Sequence, residues 1–224
     1  PIVCVMHDHG RSNHLAEYAK LPYKDNIYLI HNSKWLEKYY SSYGFKSIIV
    51  HPPVFYQEYQ TETTREYVTL INCNENKGGS VLVKIARRMP TVKFLGVKGA
   101  YNSQVTGRVP NITYMNQTSY IKSVYGMTGI LLMPSREESW GRTAIEAMSS
   151  GIPVIAHPTP GLLESCGEAG IFCHRDDTNA WVAAIQQLQT DKDYYKAISD
   201  RCLARAKELD PVPQLAAMAD WLKD

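Results

Sequence analysis

PSREESWGRTAIEAMSSGIPVIA, residues 134–156, is the stretch from which the fold of this chain is read. The apolar run before it, Gly129 to Met133, reads as a buried strand. A polar loop follows, carrying Arg136, Glu137 and Glu138. Gly141 then opens a helical stretch that contains Glu146, Gly151 stops it, and Pro153 to Ala156 reads as the next strand. Two carboxylates eight positions apart, Glu138 and Glu146, therefore flank one strand–loop–helix junction. That junction lies at the carboxyl end of a strand, where open α/β sheets bind ligands. The plainer alternative is a pair of solvated acids near a helix N-terminus, where the helix dipole favours negative charge.

Outward from this unit, short β-type runs alternate with helical stretches along the whole chain. This is the signature of parallel sheets with crossover helices. The runs are 2–6, 27–30, 47–50, 67–73, 92–97, 112–115, 129–133, 153–156 and 170–173. The clearer helices are 34–43, 79–88, 142–149, 178–189 and 194–208. FYQEYQTETTRE, residues 55–66, follows two prolines and lacks apolar periodicity, so it reads as a linker. Residues 67–210 hold six strand candidates, enough for a full Rossmann-like domain. Residues 1–54 hold three, a poor independent core, and 211–224 reads as a closing helix.

Composition narrows the function. The chain has 224 residues, 44% of them apolar, with a formal charge of +2. That balance gives no footprint for nucleic-acid binding. Five scattered cysteines, odd in number and without a CxxC, read as thiols in a reducing, cytoplasmic compartment. No run approaches a membrane span, which leaves peripheral membrane contact open.

The glutamate loop resembles the donor-sugar site of the family 4 glycosyltransferases. Glu138 and Glu146 have that family's spacing, with Trp140-Gly141 in its aromatic-Gly positions and AMSSGIPVIA following. The resemblance implies a GT-B-like α/β fold of two Rossmann-like domains, the first short or truncated here. It also implies a retaining, metal-independent transfer from a nucleotide-sugar donor to an unknown acceptor (glycan, lipid or protein). The alternative is a non-catalytic nucleotide-sugar-binding module. No cofactor is implied, since the UDP- or GDP-sugar is a substrate. The closing helix would cross back onto the first domain.

The resemblance also distributes roles. Glu146 would hold the ribose and Glu138 the donor sugar, since a carboxylate accepts two hydroxyl bonds of about 1.5–3 kcal/mol each. Lys77-Gly78 matches the family's Lys-Gly, so Lys77 would meet the diphosphate. The amides of Gly161, Leu162 and Leu163, in PGLLE, would join it at a helix N-terminus. His7, in the HDHG that follows the first strand, would bond a sugar hydroxyl. There is one departure. Asn72 stands where the family carries a second phosphate arginine, and Arg136 and Arg142 are the candidate substitutes.

Overall fold

The computed structural model describes residues 1–101 and 103–223. The chain forms two parallel sheets. The first has the order β1-β2-β3, from β1 (Ile2–Met6), β2 (Ile27–His31) and β3 (Lys46–Ile49). Its register pairs Ile2 with Ile27 and Tyr28 with Lys46. The crossovers are α1 (Ser12–Tyr18) and α2 (Lys34–Tyr40). Met6, Leu15, Leu29, Leu36 and Tyr40 close a small core on one face.

Residues 55–66 are not bare linker. They contain a helical turn, α3 (Tyr56–Tyr59), docked where Ser150 Oγ donates to Tyr59 O at 2.8 Å. Aperiodic polar sequence hides such a turn, because its anchors are backbone and hydroxyl groups.

The second sheet has the order β6-β5-β4-β7-β8-β9, all parallel. In chain order its elements are β4 (Tyr67–Ile71), α4 (Gly79–Arg88), β5 (Phe94–Val97), β6 (Ile112–Met115), α5 (Lys122–Tyr125), β7 (Thr128–Met133), α6 (Arg142–Met148), β8 (Val154–Ala156), α7 (Pro160–Cys166) and β9 (Ile171–Phe172). Then come α8 (Thr178–Thr190), α9 (Lys192–Glu208) and α10 (Val212–Trp221). Every residue of β7 is buried, as an apolar run covered on both faces by helices must be. Asp177 and Asp191 cap α8 and α9 through the amides of Ala180 and Tyr194. Trp181, Ile185 and Cys202 on those helices fill the core with Leu131 and Phe94. Each such large side chain contributes about 1.5–3 kcal/mol by leaving water.

All nine expected strands form, most with trimmed ends. The run read as 67–73 stops at Ile71 because Asn72 turns into the left-handed region at φ 69°. Among the described residues, the helices not foreseen are α1, α3 and α5. From α10, Trp221 meets Tyr28 edge-on at 5.5 Å, and Gln214 Oε1 accepts from the His51 amide at 3.0 Å.

Candidate functional site

The second sheet reverses direction of winding at β4 and β7, which lie side by side but are far apart in sequence. The loops leaving their carboxyl ends face each other there, a natural crevice for a ligand. Gly78 makes the close approach possible. It has φ 102°, and a Cβ on it would come within 2.3 Å of the Pro134 ring. The Lys77 amide donates to Asn74 Oδ1 at 2.8 Å, which fixes the turn before α4. Lys77 Nζ then forms an ion pair with Glu138 Oε1, and Ser135 Oγ donates to the same oxygen at 2.9 Å.

Glu138 separates two cavities. A smaller one, about 240 Å³, includes Asn72, Lys77 and Thr143. A larger one, about 500 Å³, opens between the two sheets and includes His7, Trp35 and His157. Glu138 lines both. Lys77 and Glu138 are therefore brought together, with Asn72 beside the first and His7 across the second. The Asn72 amide oxygen accepts from the Asn74 N–H at 3.3 Å and lies 3.4 Å from Gln104 Nε2.

Behind this pair lies Arg175, which sequence reading passed over. It is 4% exposed. Its guanidinium donates to the carbonyls of Pro134, Asn76 and Glu75, thereby tying the loop after β4 to the loop after β7. Burial lowers its pKa, as does the neighbouring Arg136, while Glu75 opposes them. The Arg175 amide donates to His157 Nδ1 at 3.1 Å, which sets that imidazole as the Nε2–H tautomer while it is neutral. Burial, His174 and Arg175 all lower the pKa of His157.

The two arginines considered as substitute phosphate cations are both paired. Arg136 lies 3.5 Å from Glu75 Oε1. Arg142 Nε lies 2.8 Å from Glu146 Oε1, one helical turn away, and its Nη2 donates to Tyr59 Oη at 2.6 Å. Glu146 also accepts from the buried Tyr125 hydroxyl at 2.8 Å. Burial raises the Glu146 pKa despite the bonds from Tyr125 and Arg142.

Other expected residues turn inward. Trp140 is buried, and its indole stacks on His51 at 3.7 Å, 11° from parallel, so its side chain does not face either cavity. Leu162 is fully buried, and its amide donates to Thr159 Oγ1 at 3.3 Å. The Leu163 amide donates to Thr159 O at 2.9 Å. Two of the three amides expected to face a diphosphate are thus engaged within their own turn. Gly161 serves packing, since a Cβ there would come within 2.3 Å of Glu138 O. Gly141, at φ 83°, precedes α6.

The first sheet and its helix reach the same loop at Ser139 and reach α7 at Glu164. Asn32 Nδ2 donates to Ser139 Oγ at 2.8 Å and to His7 O at 3.2 Å. Trp35 Nε1 donates to Ser139 O at 2.9 Å. Glu164, from α7, accepts from the Lys34 and Trp35 amides at 2.8 and 3.2 Å, capping α2 from the opposite side. Burial pushes the Glu164 carboxyl up, but contact with His51 and those amides outweighs burial and holds it below its usual value. In PGLLE the sequence signal lies in the glycine; the role of Glu164 depends on α2 standing opposite it.

Comparison with known proteins places this geometry. The family model described as glycosyl transferases group 1 matches residues 71–191, more than half of the chain. A D-inositol 3-phosphate glycosyltransferase of Corynebacterium urealyticum is 33% identical over 101 residues, covering 44% of this chain and 22% of that protein. The O-antigen chain mannosyltransferase RfbU of Salmonella typhimurium is 30% identical over 80 residues, 35% of this chain and 23% of that protein. These matches thus span less than a quarter of the curated relatives' length. Among solved structures, Anabaena HepE in complex with UDP and glucose superposes with a TM-score of 0.85 at 18% identity. That superposition covers 100% of this chain and 72% of the other. The fold is accordingly the GT-B arrangement. Among the described residues no helix is long and apolar enough to cross a membrane.

Proposed function

This chain belongs to the group 1 glycosyl transferases, and we propose that it moves a sugar from a UDP- or GDP-linked donor to an acceptor hydroxyl. Transfer proceeds with retention and without a metal. The observation that carries this reading is the meeting of Lys77 and Glu138, from two different loops, at the switch point of the second sheet. Breaking a glycosyl–phosphate bond leaves negative charge on the diphosphate. A cation engaged on the diphosphate from donor binding onward stabilises that charge without reorganising as it forms. Lys77 is that cation, and Glu138 accepts hydroxyl bonds from the donor sugar. Glu146 holds the ribose diol, exchanging Arg142 for it. His7, across the larger cavity, bonds a sugar hydroxyl.

In this reading residues 67–210 grip the donor, residues 1–54 present the acceptor, and α10 joins the two. The departing phosphate oxygen receives the bonding electron pair and then the acceptor's proton, while the acceptor oxygen bonds the same face of the sugar. The five cysteines are free thiols, which supports a cytoplasmic setting. The test is proton NMR of the product formed from a UDP- or GDP-sugar in EDTA. Retained anomeric configuration is expected; inversion, or activity restored only by Mg²⁺ or Mn²⁺, overturns the mechanism.

Asn72 favours a second reading. Its uncharged side chain is bonded to Asn74 and stands where the resemblance expects a second cation. A chain that binds nucleotide sugar tightly but shows neither transfer nor donor hydrolysis is a binding module.

A further inference from the structure

The larger cavity has a wall that the donor reading leaves unused. Trp35 and Tyr39 lie one turn apart on α2, and His9 follows β1. Their rings form an inside corner. Trp35 and Tyr39 are 6.2 Å apart at 71°, and His9 lies 6.1 Å from Trp35 and 5.9 Å from Tyr39. All three line the 500 Å³ cleft opposite Glu138. Trp35 cannot swing away, because Nε1 donates to Ser139 O and its amide donates to Glu164. Tyr39 is 48% exposed and rests edge-on against Tyr40 at 5.0 Å.

The charges around the corner select among occupants. Asp8 and Glu137 carry carboxylates into this cleft beside Glu138, whose charge Lys77 offsets. Among its described lining residues Arg136 is the one permanent cation, and it already lies against Glu75. A phosphate or another anion would meet net negative charge here. A pyranose would not: its C–H face suits aromatic surface and its hydroxyls suit carboxylate acceptors.

We propose that the acceptor is a neutral saccharide, seated in the Trp35–Tyr39–His9 corner with hydroxyls on Asp8 and Glu137, its reacting hydroxyl turned to the donor sugar at Glu138. This rests on the donor reading above for the direction of transfer. The aromatic corner itself is independent of it.

The test uses the full chain with UDP present. Saturation-transfer NMR is recorded with methyl glucoside, methyl mannoside and methyl N-acetylglucosaminide as probes. Inositol phosphate and anionic phospholipid vesicles serve as competitors, and UDP binding is followed separately by calorimetry. Saturation of the ring protons of at least one glycoside is expected. Tyr39→Ala should weaken that binding about tenfold, Tyr39→Phe should preserve it, and UDP affinity should stay unchanged in both. If all three glycosides are silent, or inositol phosphate or the vesicles displace them, the saccharide assignment is wrong. If glycosides bind as expected but UDP does not, the corner stands and the donor reading fails.

Discussion

Lys77 Nζ and Glu138 Oε1 form an ion pair across the gap between the loops that follow β4 and β7. The group assigned to the diphosphate is thus neutralised by the group assigned to the sugar. A donor entering the smaller cavity must draw Lys77 away from Glu138. Glu138→Gln should therefore raise affinity for free UDP or GDP, by roughly two- to tenfold for a partly exposed pair, while transfer falls. Lys77→Ala should lower transfer by about 10²–10³ and weaken the nucleotide. Calorimetry with both variants checks this. Equal losses of nucleotide affinity would mean the pair does not divide the donor between its members.

Arg175 should matter to activity although it lines neither of the two cavities at Glu138. Replacing it with Met leaves the buried Pro134 carbonyl without its donor, while the Asn76 and Glu75 carbonyls keep the amides of Arg136 and Gly78. Buried groups left unpaired cost about 1–3 kcal/mol each, non-additively. Arg175→Met should destabilise the fold by about 1–3 kcal/mol and weaken donor binding by loosening the Lys77 loop. Arg175→Lys, which can reach some of those carbonyls, should recover part of both. Urea unfolding beside nucleotide titration provides the measurement, and full affinity in a destabilised Met variant would show that the two loops need no clamp.

Glu164 joins the two sheets by capping a helix. Ser33 precedes α2 but its side chain makes no cap, so the Lys34 and Trp35 amides depend on Glu164. Glu164→Ala should cost about 1–2 kcal/mol, as lost N-caps do. Hydrogen exchange at those two amides should speed up in the variant. Unchanged protection would locate the restraint on α2 elsewhere.

Stability should fall in mild acid because of His31. The ring is 2% exposed, stacked on Tyr40 at 6.0 Å, and burial lowers its pKa from 6.5 to about 4. The unfolded chain takes up a proton near pH 6.5 and the folded chain does not until about pH 4. The stabilisation is complete above pH 6.5 and lost as pH falls through that window, with a slope approaching about 1.4 kcal/mol per pH unit. The depressed Glu164 carboxyl acts in the same direction at lower pH. Urea titrations from pH 7.5 to 4 should show the slope in the wild type and a shallower one in His31→Asn.

The strands were legible because apolar runs bounded by Gly and Pro reflect a sheet buried on both faces. Helix α1 was not, since Leu15 is its one buried residue and Arg11 before it makes no side-chain cap. The glutamate loop was legible as a position, but the orientation of its side chains was not. Trp140 and Leu162 occupy expected places and face inward. The spacing of Arg142 and Glu146 permitted their i,i+4 pairing, yet did not say that Arg142 would also bond Tyr59 from outside the helix. Arg175 left no trace in the sequence because three of its partners are backbone carbonyls some 40 and 100 positions away, which carry no residue signature, and its carboxylate partner Glu75 is equally distant in the chain.

Asn72 is where sequence and backbone meet most sharply. By resemblance the position should hold a second phosphate cation, which suggests Asn72→Arg as a gain of function. The structure adds a cost. At φ 69° asparagine is tolerated and arginine is strained, by about 1–2 kcal/mol. The asparagine amide also packs where a Cβ on Gly99 would lie 2.4 Å from its oxygen, so a longer side chain must leave that slot and turn into the smaller cavity. There it would approach Lys77 and whatever anion Lys77 holds. Asn72→Arg should therefore lower the midpoint of thermal unfolding without ligand, and regain or exceed the wild-type value when UDP or GDP is saturating. A ligand at a hundredfold over its dissociation constant contributes about 2.7 kcal/mol, and tighter binding shifts that balance further. A variant that is destabilised and gains nothing from nucleotide would show that asparagine is held at 72 by the backbone alone, and that Lys77 meets the leaving diphosphate without a second cation from this loop.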